Sequence, residues 1–189
     1  MTPALSAPRA AAVAAFGGCA ALLLRPVLVA NLSHPALVLA VVFGALALVG
    51  IAWPSRLLAA DVRYPDVSRQ KSLVLVAGVA AFALGRTMAG GHPPTAEIGV
   101  ALLGNTLAAV AEEAFFRRFL YGLLARHGDG VAIAGTALAF AAVHVTVYGA
   151  WVLPIDLAAG AILSWQRWAT GSWAVPAITH VLANVLVVM

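Results

Sequence analysis

Charge is what this sequence has least of. Only 10% of its 189 residues are Asp, Glu, Lys or Arg, against a hydrophobic share of 63% and a mean hydropathy of +0.99. A soluble domain carries about 25% charged residues, so water is not the main solvent of this fold. Cysteine is nearly absent as well. The lone Cys19 excludes an internal disulfide, and its apolar Phe-Gly-Gly-Cys setting suits buried filler better than lipidation. There is no Gly-x-Ser-x-Gly, no His-Glu-x-x-His and no phosphate loop, and no serine has an evident His partner. A serine protease reading is therefore poor. Neither a soluble domain, a low-complexity tail nor a clear repeat emerges from the pattern.

What the chain has in abundance is apolar runs. Charge-poor stretches recur at residues 10–24, 36–53, 72–85, 98–111, 131–155, 157–166 and from 172 onward. A helical crossing needs about 20 mostly apolar residues, fewer where flanking side chains snorkel. The prediction is an all-α, polytopic membrane helix bundle of about seven transmembrane helices. The first is the exception in form, because Arg25-Pro26 interrupts it and predicts a short or broken helix. It also resembles a secretory signal, but no clean small-x-small site precedes a soluble domain, so a membrane anchor is the expectation.

A net charge of +4 and a pI near 10 would suit a nucleic-acid binder, but the basic residues are placed otherwise. Arg56, Arg63, Arg69 and Lys71 fall between crossings two and three, Arg117, Arg118 and Arg126 near the end of the fourth, and Arg167 between six and seven. The alternate loops, around 87–97 and 148–154, contain neither Lys nor Arg. This positive-inside pattern predicts a multi-pass protein of the plasma (inner) membrane with a cytoplasmic N-terminus. The basic loops face a lipid bilayer, and no nucleic-acid partner is implied.

Punctuation divides the chain further. Pro54, Gly90-Gly-His-Pro-Pro94, Gly128-Asp-Gly130 and Thr170-Gly171-Ser172 mark helix ends, and the polar stretch Ser55–Lys71 is long enough for a short surface helix. Residues 1–71 are read as N-terminal transmembrane helices with a basic cytoplasmic loop, and 72–189 as a second helix bundle. The stretch from about 96 to 126 could form one helix of about 46 Å, longer than a hydrocarbon core of about 30 Å.

Three polar clusters interrupt the most hydrophobic segments: Glu112-Glu113-Ala-Phe-Phe-Arg117, Phe140-Ala-Ala-Val-His144 and His180-Val-Leu-Ala-Asn184. Ionisable groups inside a bilayer are a functional-site hypothesis by default. Glu113 and Arg117 are four apart and share a helix face, which predicts an ion pair. Glu112 points about 100° away and is left as a free carboxylate able to act as a general base. The bland alternative is a snorkelling charge cluster at a helix end. His144 shares a face with Phe140 and could equally be a satisfied structural donor. His180 and Asn184 form one stripe whose donors could serve a developing oxyanion, or an interhelical clamp. By depth along their helices the clusters can meet only on the cytoplasmic side, and only with some helix irregularity. Among weaker candidates, Asp156 is expected to be exposed near the outer interface, Arg86 to snorkel outward, and His34, His92 and His127 to lie in loops. Trp151, Trp165, Trp168 and Trp173 sit near helix ends, as interfacial anchors do.

The order Glu-Glu-x-x-x-Arg, Phe-x-x-x-His, His-x-x-x-Asn, each on its own hydrophobic segment, resembles the CPBP family of intramembrane proteases. This family is also called Abi or CAAX-protease-like and includes the type II CAAX prenyl endopeptidases. The flanks Ala111 to Leu124 and Thr170 to Asn184 match it as well, and the similarity covers about residues 96–189. One departure is Arg118, where many relatives carry Gly. The resemblance implies a catalytic helix bundle over 72–189. In it Glu112 and His144 activate water, His180 and Asn184 stabilise the oxyanion, and Glu113, Arg117 and Phe140 support the site. No cofactor is favoured. A zinc-dependent alternative would use Glu112, His144 and His180 as ligands, but Asn184 beside His180 suits an oxyanion better than a zinc shell. The implied substrate is a peptide or membrane protein. Two competing readings are a non-catalytic bacteriocin-immunity or binding protein of the same fold and a proton-coupled transporter, the latter opposed by the lack of an internal repeat.

Overall fold

A computed structural model of the chain describes residues 7–54, 68–89 and 98–188. The elements are α1 (Ala7–Asn31), α2 (Pro35–Ala52), α3 (Ser68–Ala89), α4 (Ile98–Glu113), a π-helical stretch (Ala114–Leu120) and α5 (Tyr121–Leu124). A 3₁₀ turn (Ala125–His127), α6 (Asp129–Tyr148), a second 3₁₀ turn (Ala150–Val152), α7 (Leu153–Thr170) and α8 (Ala174–Val188) complete it. The segments from Ile98 to His127 follow one another without a break, so the described residues form seven helical rods and no strand. Four of the rods, over Ala7–Asn31, Pro35–Ala52, Gln70–Met88 and Asp129–Tyr148, are long and apolar enough on their own to cross a membrane. The chain is an all-α membrane helix bundle, as its composition predicts.

Helix ends follow the punctuation. Pro35 opens α2 at a position where a missing N–H has no intrahelical partner to lose. Gly171, in the left-handed region at φ 65°, closes α7 with its N–H on the Arg167 carbonyl. Two expectations are corrected. Pro26 does not break the first helix: α1 runs through it for 25 residues, because the surrounding Leu, Val and Ala side chains keep the helix favourable in an apolar setting. The polar loop is shorter than Ser55–Lys71, since α3 already begins at Ser68. Residues 55–67, with Arg56 and Arg63, and the Gly90–Pro94 break, with His92, lie outside the described residues.

The outward faces are apolar. Leu37, Val41 and Leu48 of α2 and Leu73, Val76, Leu84 and Met88 of α3 are exposed, a surface that only lipid would solvate well. Inside, the α4–π rod is the axis. α8 packs on α4, α2 on both α4 and the π stretch, α6 on α7, and α1 on α2 and α6. Gly50 of α2 sits against the Ala114 backbone so closely that a Cβ would collide with it. Polar clamps fix the outer rods. Gln166 of α7 donates to the Val74 carbonyl of α3 at 2.9 Å and to the Thr179 hydroxyl of α8 at 2.9 Å, and the Thr136 and Ser164 hydroxyls lie 2.9 Å apart between α6 and α7. Such interhelical bonds set rotation and register more than stability.

Candidate active site

The site is built where α4 changes pitch. Directly after Glu113 the backbone widens to the π form, with the Tyr121 N–H bonded to the Phe116 carbonyl five residues back. Single π turns inside α-helices occur frequently at functional sites. Here the wider turn packs Phe115, Phe116 and Phe119 inward together with Arg117, all fully buried. The Arg167 guanidinium donates to the Arg117 carbonyl at 3.0 Å, tying this irregular backbone to α7.

Glu113 and Arg117 form the predicted ion pair. Arg117 Nη1 donates to Glu113 Oε1 at 3.0 Å, both side chains are wholly buried, and Nη2 reaches the Gly160 carbonyl at 3.2 Å. The snorkelling alternative is thereby excluded for Arg117. Arg118 also turns inward: it donates to the carbonyls of Gly50 and Trp53 and so closes the C-terminal end of α2. Its departure from the pattern is a packing feature.

Glu113 Oε1 carries a second partner, His180 Nδ1, at 2.9 Å. His144 Nδ1 lies 2.7 Å from the Phe140 carbonyl, one turn back along α6. A carbonyl or an ion-paired carboxylate can only accept, so each ring carries its proton on Nδ1 and directs Nε2 elsewhere. Both Nε2 atoms face Glu112 Oε2, each at 4.0 Å. Phe140 holds the group together. Its ring lies 4.5 Å from His144, 5.7 Å edge-on from His180, and 4.5 Å under the Arg117 guanidinium. Three motifs from three rods thus converge on one carboxylate oxygen.

Asn184 stands apart. One turn beyond His180, its Nδ2 donates to the Asn105 carbonyl of α4 at 3.1 Å. Among the described residues it makes no hydrogen bond to a glutamate or histidine of the cluster.

Two residues join the site that the sequence reading did not place there. Arg25 of α1 brings Nη1 within 3.8 Å of Glu112 Oε1 and lies over the Phe43 ring at 5.3 Å. Its signal was available: it is the only charged residue between Arg9 and Arg56, inside an apolar run. Asp156 is the second. The sequence reading put it on the outer surface; instead its side chain is only 16% exposed and Oδ2 lies 3.9 Å from His144 Nδ1. A 3₁₀ turn before α7, entered through Gly149 at φ 88°, brings the first turn of that helix back over the end of α6. Tyr148 stacks on His144 with rings parallel to within 6° and 6.0 Å apart. Arg86, in the last turn of α3, donates through Nε to the Leu186 carbonyl of α8 at 3.1 Å. His34 caps α2 and His127 ends the 3₁₀ turn, both away from the cluster.

Glu112, His144 and His180 as placed do not fit a zinc shell. Ligand atoms around a tetrahedral zinc with bonds of about 2.0–2.1 Å sit about 3.3 Å apart, whereas both nitrogens stand 4.0 Å from the carboxylate oxygen. No group of three His, Cys, Asp or Glu side chains among the described residues is gathered closely enough to hold a metal ion.

Comparison with known proteins agrees with the motif reading. A family model described as type II CAAX prenyl endopeptidase Rce1-like matches residues 94–186, the span that contains all three motifs. No curated protein and no solved structure matches the chain. Over residues 94–186, just under half of its length, this chain is similar to the Rce1-like family of type II CAAX prenyl endopeptidases.

Proposed function

We propose that this protein is an intramembrane endopeptidase that hydrolyses a peptide bond in a peptide or membrane-bound protein of the plasma membrane. The observation that carries the reading is the approach of two imidazole Nε2 atoms to one carboxylate oxygen, Glu112 Oε2, at 4.0 Å each. A gap of 4.0 Å is too long for a direct hydrogen bond and suits a water molecule bonded to both sides. Glu112 and His144 take a proton from that water as its oxygen attacks the scissile carbonyl carbon. The negative charge that builds on the carbonyl oxygen meets His180 and Asn184. With Nδ1–H already given to Glu113, His180 donates from Nε2 only as the imidazolium. The Glu113 carboxylate accepts from both His180 Nδ1 and Arg117 Nη1 and so fixes the ring's orientation. Asn184 retains one amide hydrogen beyond the bond to Asn105. When the C–N bond breaks, the proton held by Glu112 and His144 passes to the leaving amine, and the water oxygen stays in the new carboxylate.

Arg25 belongs to this machinery as a positioning residue. It engages Oε1 of Glu112 and leaves Oε2 directed at the two imidazoles. A guanidinium on the carboxylate also supplies positive charge there without a metal, which supports the metal-free reading.

The test uses purified protein in lipid vesicles with peptides carrying a farnesylated C-terminal Cys-aliphatic-aliphatic-X segment, and the same peptides without the lipid, in ¹⁸O-water. Wild type is expected to release a product bearing one ¹⁸O in its new carboxyl group, insensitive to chelators, while Glu112→Gln releases none. Hydrolysis by Glu112→Gln at the wild-type rate would overturn the assignment.

A further inference from the structure

Asp156 lies outside all three motifs, yet its Oδ2 is buried, has no hydrogen-bond partner among the described residues and faces a ring of the site. A buried carboxylate oxygen without a donor is costly, and such an atom persists where another state of the molecule satisfies it. His144 Nδ1 faces it at 3.9 Å, and in this state the proton on that nitrogen is donated to the Phe140 carbonyl at 2.7 Å. The carbonyl is a neutral acceptor within the same helix; the carboxylate is a charged acceptor delivered by α7.

We infer that Asp156 is a positioning residue for His144, accepting or facing its Nδ1–H when the ring takes up a proton at Nε2. The inference rests on the function proposed above. Four residues from four rods then form a row of alternating charge: Arg25 of α1, Glu112 of α4, His144 of α6 and Asp156 of α7. Arg25 Nη1 faces Glu112 Oε1 at 3.8 Å, and Asp156 Oδ2 faces His144 Nδ1 at 3.9 Å. The proton removed from water therefore rests on His144 Nε2, from which it reaches the leaving amine; Glu112 orients the water and completes the transfer. No atom is gained or lost beyond those of hydrolysis. Gly160, one turn after Asp156, lets α7 approach the Ala137 backbone of α6, where a Cβ would stand 3.0 Å from Ala137 Cα. That close approach brings the start of α7 against the end of α6.

The test compares Asp156→Asn, Asp156→Glu and Glu112→Gln in the same vesicles, using a peptide cleaved by wild type or, equally, the protein termini generated in cells. Asp156→Asn keeps shape and loses charge. It is expected to lower kcat about 100-fold, within the range of general acid–base contributions, with KM unchanged. Asp156→Glu is expected to recover most of that loss. The ¹⁵N signals of His144 in histidine-labelled protein should move in Asp156→Asn while those of His180 stay in place, a readout that needs no substrate. Wild-type kcat in Asp156→Asn, unmoved His144 signals, or equal losses in the Asn and Glu variants with loss of fold would each overturn the inference. A rise in KM alone would overturn it too, in favour of a substrate contact. If Glu112→Gln retains activity, the proposed function itself fails; if only Asp156→Asn does, the role of Asp156 fails alone.

Discussion

Glu113 accepts from both Arg117 and His180 on one oxygen, with the arginine pair wholly shielded from solvent. Removing one partner of such a pair leaves the other charge buried and uncompensated, at a cost of about 3–5 kcal/mol. Glu113→Ala is therefore expected to lower thermal stability sharply in detergent, as read by a melting curve. Glu112→Gln, whose partners stand 3.8–4.0 Å away, should melt as wild type does while losing activity. Adjacent glutamates would thus separate into a structural and a chemical role. Arg25 makes a different prediction. Arg25→Gln should reduce turnover about tenfold by releasing Oε1, a modest share of the general-base contribution, and Arg25→Lys should keep more of it; initial rates in vesicles decide. Equal rates in all three proteins would remove Arg25 from the site.

At the scale of elements, the rods meet through small residues. Gly50 admits the Ala114 backbone, and Arg118 reaches across to the Gly50 carbonyl. Gly50→Val is expected to push α2 from the π stretch and destabilise by about 1–3 kcal/mol, the usual penalty of overpacking, again visible as a lower melting temperature. Much of this level was legible beforehand. Apolar runs gave the rods, and the i, i+4 spacing gave the Glu113–Arg117 pair and the separate face of Glu112. Depth counting along the helices required an irregularity, and the π stretch supplies one directly after the glutamates. What escaped depends on tertiary approach. Helical phase cannot show that His180 Nδ1 reaches Glu113 across two rods, or that the start of α7 folds back to set Asp156 beside His144. Pro26 misled for a related reason, since a lost backbone bond counts for less in a long apolar helix packed on α2 and α6.

Seven rods among the described residues, with the sequence's basic residues concentrated in alternate connections, lead to a whole-molecule prediction. Reporter fusions after Trp53 and after Ala125 should report the cytoplasm, and one after Gly149 the outside. The reverse pattern would contradict the cytoplasmic N-terminus. The fold also explains why the family-matched span is not the entire site. Residues 94–186 hold Glu112, His144 and His180, whereas Arg25 comes from α1, and Gly18 of the same helix packs against Phe115. Through Arg25 and Gly18 the N-terminal rods contribute contacts to the proposed site as well as length to the membrane bundle.

The central claim is that Glu112 makes this bundle a protease. Its most direct test is quantitative profiling of protein termini in cells carrying wild type or Glu112→Gln at equal membrane abundance. New termini that disappear in the variant are the predicted result, and they would also name the substrates. Identical profiles, with any cellular phenotype still rescued by the variant, would contradict the account and leave a binding or immunity protein on a protease fold.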